Sequence, residues 1–278
     1  MVTKQDFINI LSELGVRNGD MLLTHSSFKS LGGCENGADT VVTAMLEAVG
    51  SYGTVVFPTL CQQDWENVYK NWHIDASSDV GYLTNYFRLL PEAKRSNQAT
   101  HSVAAIGKHR DYLTETHGES GKRYGIFGDT PFSKDSPWQK MYELDTKVLF
   151  IGVGIRKCTF RHLAEYIVVD EALDMIKGKP EHDALKAELW YYGAPNQGVW
   201  PHVSSPYIET ILAKEGKVKY AKCGDADLIL VSSRDFVDCA IKHVKERDIN
   251  VFTSSDTWCP EDAAIWLDKV YSVCNYKV

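Results

Sequence analysis

His162 and Glu165, in the segment TFRHLAEY, form a pair that could do acid–base chemistry. On a helix, residues three apart lie on one face, so the carboxylate can accept a hydrogen bond from one imidazole nitrogen. That bond would fix the tautomer and leave the other nitrogen free as a general base near neutral pH. The pair follows a glycine-rich strand end, where α/β folds place ligands. A buried structural histidine is the alternative.

The same spacing recurs once, at His243 and Glu246. Two such pairs are about what chance gives for a chain with nine histidines and 37 acidic residues. Because the second pair lies on a lysine-rich stretch typical of a solvated helix face, position favours His162 over His243.

Two polar loops could hold a phosphorylated or pantetheine-like ligand. The loop from His25 to Gly33 follows a predicted strand and supplies hydroxyls, free backbone donors and one cation. The segment from Arg95 to Val103 supplies one arginine, three hydroxyls and a histidine. Neither loop carries a Walker or dinucleotide fingerprint, so a plain crossover and an ordinary turn remain alternatives.

Two further features admit more than one interpretation. Cys158 and His162 stand four residues apart, as do Cys239 and His243, which allows a thiol–imidazole pair and hence a cysteine-dependent hydrolase. The aromatic stretch Trp190–Tyr207 is a stacking platform for sugar rings or part of the core.

Alternating helix-like and strand-like segments would position these residues. Helical spacing and capping signals predict helices at Thr3–Leu14, Ala38–Val49, Val80–Leu90, Thr159–Val169, from Ser232 to about Lys245, and at Pro260–Val273. Short apolar runs predict strands at Met21–Thr24, Thr54–Phe57, Val103–Ile106 and Lys147–Val153, with a hairpin of Lys217–Ala221 and Asp227–Val231. The alternation predicts a layered α/β fold with helices on both sheet faces, and the lack of a linker predicts one domain over residues 1–278.

Composition narrows the classes of function. The 278 residues are 44% apolar and 24% charged, which excludes a disordered protein, and the net charge of −7 without basic runs argues against nucleic acid as a partner. The longest apolar stretch, Val148–Ile155, is too short for a membrane span, and the N-terminus is unlike a signal peptide. Seven scattered cysteines indicate reduced thiols and no metal-ligand cluster. We therefore expect a cytoplasmic protein without metal that takes small-molecule substrates; the oligomeric state, a homodimer included, stays open.

From Met21 to Tyr166 the chain resembles the aminoglycoside 3-N-acetyltransferase family, enzymes that move an acetyl group from acetyl-CoA to an amine. The resemblance consists of five blocks in the right order: LLTHSSFKSLGG, GADTVVTAMLEAVGSYGTVVFPT, KRSNQATHSVAAIG, SPWQKMYELDTKVLFIGVG, and Thr159–Tyr166. Five ordered blocks are far more specific than the His-x-x-Glu spacing.

The resemblance implies a three-layer α/β/α fold with a central mixed sheet and acyl-CoA, with an acetyl or a larger acyl group, as co-substrate. It implies direct acyl transfer to an amino group, with His162 as general base and Glu165 orienting it. It also implies a coenzyme A channel formed by two segments, in which we expect contacts from Ser26, Ser27, Lys29, Leu31, Gly32, Arg95, His101, Ser102 and Val103.

Departures from the family pattern bear on the acceptor. The downstream region AELWYYGAPNQGVWPHVSSPY has one acid where relatives that modify polycations have several, and Arg156-Lys157-Cys158 replaces an Asp-Ser-Asn. Two cations near the base would repel a polycation and attract an anion. The sequence therefore favours a nucleotide-linked amino sugar for surface polysaccharide, with an aminoglycoside, or a non-catalytic sugar- or CoA-binding protein, as alternatives. The predicted substrate contacts are Asp75, Arg156, Lys157, Tyr191 and Trp200.

Overall fold

A mixed sheet of seven strands forms the centre of the fold in the computed structural model, which describes residues 1–63, 68–117, 131–189, 198–254 and 259–275. The spatial strand order is β3-β4-β2-β1-β5-β7-β6. The strands are β1 Met21–Ser26, β2 Thr54–Pro58, β3 Lys94–Arg95, β4 Val103–Gly107, β5 Lys147–Ile151, β6 Val218–Cys223 and β7 Ala226–Ser232.

Strand direction brings three strand ends together. β1 lies between β2 and β5 and runs parallel to both, whereas the outer strands pair in antiparallel fashion. The carboxyl ends of β1, β2 and β5 therefore meet at one edge of the sheet, the edge where open α/β sheets bind ligands. The expected mixed sheet is confirmed.

Successive side chains on each strand point to opposite faces of the sheet. Leu22 and Val55 pack into one apolar core, and the adjacent Leu23 and Val56 into the other. Helices α1, α2 and α4 cover the first core; α5 to α11 contribute apolar side chains to the second. The helices are α1 Lys4–Leu14, α2 Ala38–Val49, α3 Val68–Asn71, α4 Tyr82–Arg88, α5 Arg110–Thr114, α6 Pro137–Glu143, α7 Phe160–Met175, α8 His182–Ala187, α9 Ser205–Lys214, α10 Ser233–Lys245 and α11 Pro260–Val273. This arrangement is the predicted three-layer α/β/α fold.

Most predicted elements are present with small differences at their ends. The capping box of α1 forms as expected, with Thr3 and Asp6 satisfying each other's backbone N–H groups. Helix α7 continues past the predicted end because Ala172 and Leu173 extend its buried face. The sequence did not reveal β3 or the helices α3, α5, α6, α8 and α9, which have at most ten residues and depend on tertiary packing for stability.

The helices and the cysteines show two further features. Within the described ranges, every helix is too short or too polar to cross a membrane. All seven cysteines are unpaired. Both apolar cores lie against the same sheet; the one-domain organisation predicted for residues 1–278 stays a prediction.

Candidate active site

A cavity of about 490 Å³ opens at the carboxyl edge of the central parallel strands. His162 enters it from the first turn of α7, and His25 and Ser26 enter it from the end of β1. His101 reaches it from the segment before β4. The topology thus gathers three imidazoles at the sheet edge where a ligand is expected.

His162 and Glu165 form the predicted pair. Nδ1 of His162 lies 2.8 Å from Oε2 of Glu165, whose side chain is fully buried. Nε of Arg161 donates to Nε2 of His162 at 3.3 Å, so Nε2 presents its lone pair and Nδ1 carries the proton. This is the tautomer that a base acting through Nε2 requires.

Glu165 is held by several donors besides His162. Nε1 of Trp200 donates to Oε2 at 3.0 Å, the backbone N–H of Val203 donates to Oε1 at 2.8 Å, and Nδ1 of His202 lies 3.6 Å from Oε2. Burial by itself would raise the pKa of Glu165, but the adjacent imidazoles of His162 and His202, with their hydrogen bonds to the carboxylate, hold that pKa well below its usual range. The carboxylate stays ionised beneath the imidazole.

The pKa of His162 is lowered to about 4. Burial is the main cause; Glu165 opposes it only in part, and Arg161 and His202 lower the pKa further. At neutral pH the imidazole is therefore uncharged, the form in which it can accept a proton.

His101 forms one wall of the cavity. Its ring lies 6.0 Å from that of His162, centroid to centroid, at nearly a right angle. The amide nitrogen of Gln62 lies 3.1 Å from Nε2, and the Thr100 hydroxyl lies 2.9 Å from Nδ1. Burial, followed by the neighbouring His162, holds the pKa of His101 well below its usual value. Both ring nitrogens have protein partners, so His101 contributes shape and a neutral ring face.

Of the coenzyme A contacts predicted in the first loop, only Ser26 lines the cavity. Leu31 is buried, and its carbonyl accepts from the backbone N–H of Asp225 at 3.4 Å. A Cβ on Gly32 would clash with the Asp225 carboxylate at 2.2 Å. The turn of 3₁₀ helix at Phe28–Leu31 directs this part of the loop toward the β6–β7 turn. Ser27, Lys29, Leu31 and Gly32 therefore lie outside the lining of this cavity, and their contacts with coenzyme A stay predictions.

The second predicted cofactor segment acts mainly by holding the chain in place. Arg95 is 9% exposed and donates to the carbonyls of Thr59 at 2.6 Å, Ile74 at 3.0 Å and Ala76. Ser102 donates to the Thr59 carbonyl at 2.9 Å. The guanidinium and this hydroxyl are used by the protein, and the fully buried side chain of Val103 packs in the core. Of this segment only His101 lines the cavity. Arg95, Ser102 and Val103 hold the chain in place, and their contacts with coenzyme A stay predictions.

Some of the predicted substrate contacts line the cavity and others do not. Arg156 and Lys157 line the cavity as expected, whereas Asp75 is exposed and outside it. Trp200 is fully buried with its indole N–H bound to Glu165, so a sugar ring cannot stack on it and that expectation is wrong. Tyr191 lies outside the described residues.

The charge of the cavity is mainly positive. Arg156, Lys157 and Arg161 line it, with Asp79 as the acidic lining residue among those described. The Asp79 carboxylate accepts two backbone N–H bonds, at 2.5 and 2.7 Å. The free charge at the mouth of the cavity therefore suits an anionic group.

Cys158 is a poor nucleophile. Its side chain is fully buried, and burial raises the pKa of its thiol to about 12. Burial likewise raises the pKa of Cys239 to about 11. Because the thiolate is the reactive form, this geometry disfavours the cysteine-hydrolase alternative.

The sequence did not predict that His202 would join the pair. The ligating atoms of His162, Glu165 and His202 all lie within 4.8 Å of one another, a grouping that could hold a metal ion. Two ligands of a tetrahedral zinc are roughly 3.4 Å apart for bonds near 2.1 Å, whereas Nδ1 of His162 and Oε2 of Glu165 are at hydrogen-bond distance. Trp200 also donates to that oxygen, and an indole is only a donor. A hydrogen-bonded relay fits these groups better than a metal centre; the expectation of no metal stays a prediction.

Comparisons of the sequence and the fold with known proteins point to one family. The family model described as aminoglycoside 3-N-acetyltransferase matches residues 23–245. The SPbeta prophage-derived aminoglycoside N(3')-acetyltransferase-like protein YokD of Bacillus subtilis (strain 168) is 27% identical over 267 residues, covering 86% of this chain and 91% of its own. Aminoglycoside N(3)-acetyltransferase III of Salmonella sp is 30% identical over 184 residues; the match spans 60% of this chain and only 61% of that relative.

Solved structures agree on the fold. The crystal structure of the apoenzyme of aminoglycoside acetyltransferase AAC(3)-IVa superposes with a TM-score of 0.70 at 24% identity, covering 97% of this chain and 98% of its own. AAC-IIIb in a binary complex with CoASH gives a TM-score of 0.67 at 20% identity, covering 91% and 98%. At these identities the two likenesses bear on the fold alone.

Proposed function

This chain belongs to the aminoglycoside 3-N-acetyltransferase family, and on that basis we propose that it acetylates an amino group of an aminoglycoside-type amino sugar with acetyl-CoA. As a family member it is an acyl-CoA-dependent N-acyltransferase. One observation carries the proposal for the mechanism: a neutral imidazole, His162, lines a cavity while a buried, ionised Glu165 fixes its tautomer.

The reaction requires a base at this position. An ammonium has no lone pair, so the acceptor attacks as the free amine, after it has lost a first proton to solvent. Its nitrogen must then lose a second proton as it bonds to the thioester carbonyl carbon. Nε2 of His162 takes that proton, and Glu165 stabilises the imidazolium that forms. The C–N bond forms, the C–S bond breaks, and the proton on His162 passes to the departing thiolate of coenzyme A. Arg161 must release Nε2 when the amine arrives, since it donates to the same atom.

The acceptor is the less constrained part of the proposal. The relatives are named as aminoglycoside N-acetyltransferases or as similar to them, which favours an aminoglycoside as acceptor. A second candidate, a nucleotide-linked amino sugar, is favoured by one observation, the three cations Arg156, Lys157 and Arg161 in the cavity wall. The aromatic support for that candidate is weaker than expected because Trp200 is buried. We therefore rank the aminoglycoside first.

A direct comparison of acceptors tests the proposal. Thiol release from acetyl-CoA is followed with a gentamicin-type aminoglycoside and, separately, with a dTDP-linked amino sugar. We expect turnover with the aminoglycoside, and a higher kcat/KM for it in Lys157→Glu because a cation near the polycation is removed. Turnover with the nucleotide sugar alone, lowered by Lys157→Glu, would replace the first candidate by the second. No thiol release with either would contradict both.

A further inference from the structure

His25 lines the same cavity as His162 but has no place in the mechanism above. It lies on β1 directly opposite Phe150 of β5, and the two rings stack with centroids 5.3 Å apart and planes 9° apart. Its side chain is 8% exposed. A polar ring is thus fixed in one orientation at the floor of the cavity by the central parallel strands.

One nitrogen of this ring is unsatisfied. Nε2 of His25 is buried and has no hydrogen-bond partner among the described residues. Burial, reinforced by the nearby Lys157, lowers the pKa of His25 to about 3, so the ring is neutral and carries one proton. A buried N–H without an acceptor is rarer in proteins than an unpaired acceptor, which places the lone pair on Nε2 and the proton on Nδ1.

Nδ1 likewise has no hydrogen-bond partner among the described residues, but unlike Nε2 it is not buried, so it reaches the cavity that His25 lines. The unpaired Nε2 costs stability, which indicates that the ring is kept for what Nδ1 can bind and not for packing. A ring that served only to pack on Phe150 would do better as phenylalanine. The cavity His25 lines must also hold a thioester and an amine. The attacking amine is a donor to the protein until it loses its proton, whereas the carbonyl oxygens of an acyl-CoA are acceptors that need a donor.

We propose that Nδ1–H of His25 donates a hydrogen bond to a carbonyl oxygen of the bound acyl-CoA. This inference rests on the proposed function, because it takes acyl-CoA as the ligand. A contact with the thioester oxygen stabilises the charge that develops there during attack, and a contact with an amide of the pantetheine arm anchors the arm. His25 then acts on the electrophile, and His162 acts on the nucleophile.

Three substitutions of His25 separate the contribution of each ring nitrogen from that of the stacked ring. His25→Phe keeps the ring stack and removes both nitrogens. His25→Asn places an amide nitrogen close to the position of Nδ1, and His25→Gln places its amide near Nε2 instead. A matched control is His117→Phe, since His117 is also buried but both its nitrogens have partners, the Ser96 hydroxyl at 2.8 Å and the Pro131 carbonyl at 3.1 Å.

Acetyl-CoA affinity, measured by titration calorimetry without acceptor, and steady-state kinetics give the readouts. For His25→Phe we expect a melting temperature equal to or above that of the wild type, whereas His117→Phe lowers it. A fall in kcat of about 10²- to 10³-fold identifies the thioester oxygen, and a rise in Kd of about 3- to 10-fold with kcat unchanged identifies a pantetheine amide. His25→Asn recovers most of the loss and His25→Gln does not.

Two results would overturn the assignment of His25. One is a His25→Phe enzyme that binds acetyl-CoA and turns over as the wild type does; the other is equal loss in the Asn, Gln and Phe variants. Failure of the wild type itself to bind acetyl-CoA is a different result, because it would contradict the proposed function and not this residue alone.

Discussion

The indole N–H of Trp200 donates to Oε2 of Glu165 at 3.0 Å, the same oxygen that lies 2.8 Å from Nδ1 of His162. A residue expected to stack on a sugar instead holds the carboxylate that orients the base. Because Trp200 is fully buried, its contribution is to the ionised state and position of Glu165.

Trp200→Phe removes this donor and keeps an aromatic ring in the site. We expect kcat to fall about 10-fold and stability to fall by about 1–3 kcal/mol, since a buried carboxylate loses a hydrogen bond. Trp266→Phe is the control, because the buried Trp266 donates its indole N–H at 2.9 Å to the Leu185 carbonyl, outside the site. Steady-state kinetics and thermal melts of both variants check this. Equal kcat values for Trp200→Phe and Trp266→Phe would show that the indole N–H of Trp200 plays no part in the reaction.

Glu165→Gln replaces the ionised partner of His162 by a neutral amide of the same size. The imidazolium formed during proton transfer loses its counter-charge, so we expect kcat to fall by about 10²- to 10⁴-fold with acetyl-CoA affinity unchanged. The second His-x-x-Glu pair supplies the control: Glu246 lies 4.0 Å from Nδ1 of His243 on another helix, and Glu246→Gln should leave kcat unchanged. Similar kinetics for the two variants would argue against a relay through Glu165.

The protein should lose stability steeply on mild acidification. His25, His117, His101 and His162 are buried, and burial lowers the pKa of each, to about 3 for the first two and about 4 for His162. In the unfolded chain these histidines take up protons near pH 6.5, whereas in the folded chain they stay neutral. Their contribution to the free energy of unfolding is therefore fully present above pH 6.5 and is lost as the pH falls below it. At pH 5 His25, His117 and His162 each cost about 2 kcal/mol of stability.

Thermal melts between pH 8 and pH 4.5 measure this dependence. His25→Phe should flatten it, because that position no longer titrates. A melting temperature constant from pH 7 to pH 5 would be incompatible with neutral buried histidines.

Arg95→Lys tests whether Arg95 positions the cavity wall. The guanidinium donates to three carbonyls between Thr59 and Ala76, and lysine cannot reproduce that planar set. We expect a loss of about 2–4 kcal/mol in stability and a raised KM for acetyl-CoA, because Gln62 lies within this segment. Arg88, on α4, donates to the Asp75 carbonyl and the Ser77 hydroxyl at the surface. Arg88→Lys should therefore cost less than about 1 kcal/mol of stability. Equal losses of stability and equal KM values in the two variants, measured by chemical denaturation and kinetics, would contradict a positioning role for Arg95.

Local patterns predicted the parts of the site that are close in the chain. His162 and Glu165 share one helix turn, so their spacing specified their contact, and the apolar runs specified the strands that bring β1, β2 and β5 together. Trp200, His202 and Val203 reach Glu165 from a distant segment, and a lone histidine among aromatic residues carries no signal of that contact. Serines and glycines in the first loop suggested a cradle for coenzyme A, but their direction depends on the β6–β7 turn, which tertiary packing alone decides.

Acceptance of the amine proton by His162 is the central step of the proposed reaction. Its most direct test is thiol release from acetyl-CoA with an aminoglycoside acceptor, comparing the wild type with His162→Ala and adding imidazole to the variant. We expect a loss of about 10³-fold or more in kcat, unchanged acetyl-CoA affinity and partial rescue by imidazole. Turnover by His162→Ala at the wild-type rate would contradict it.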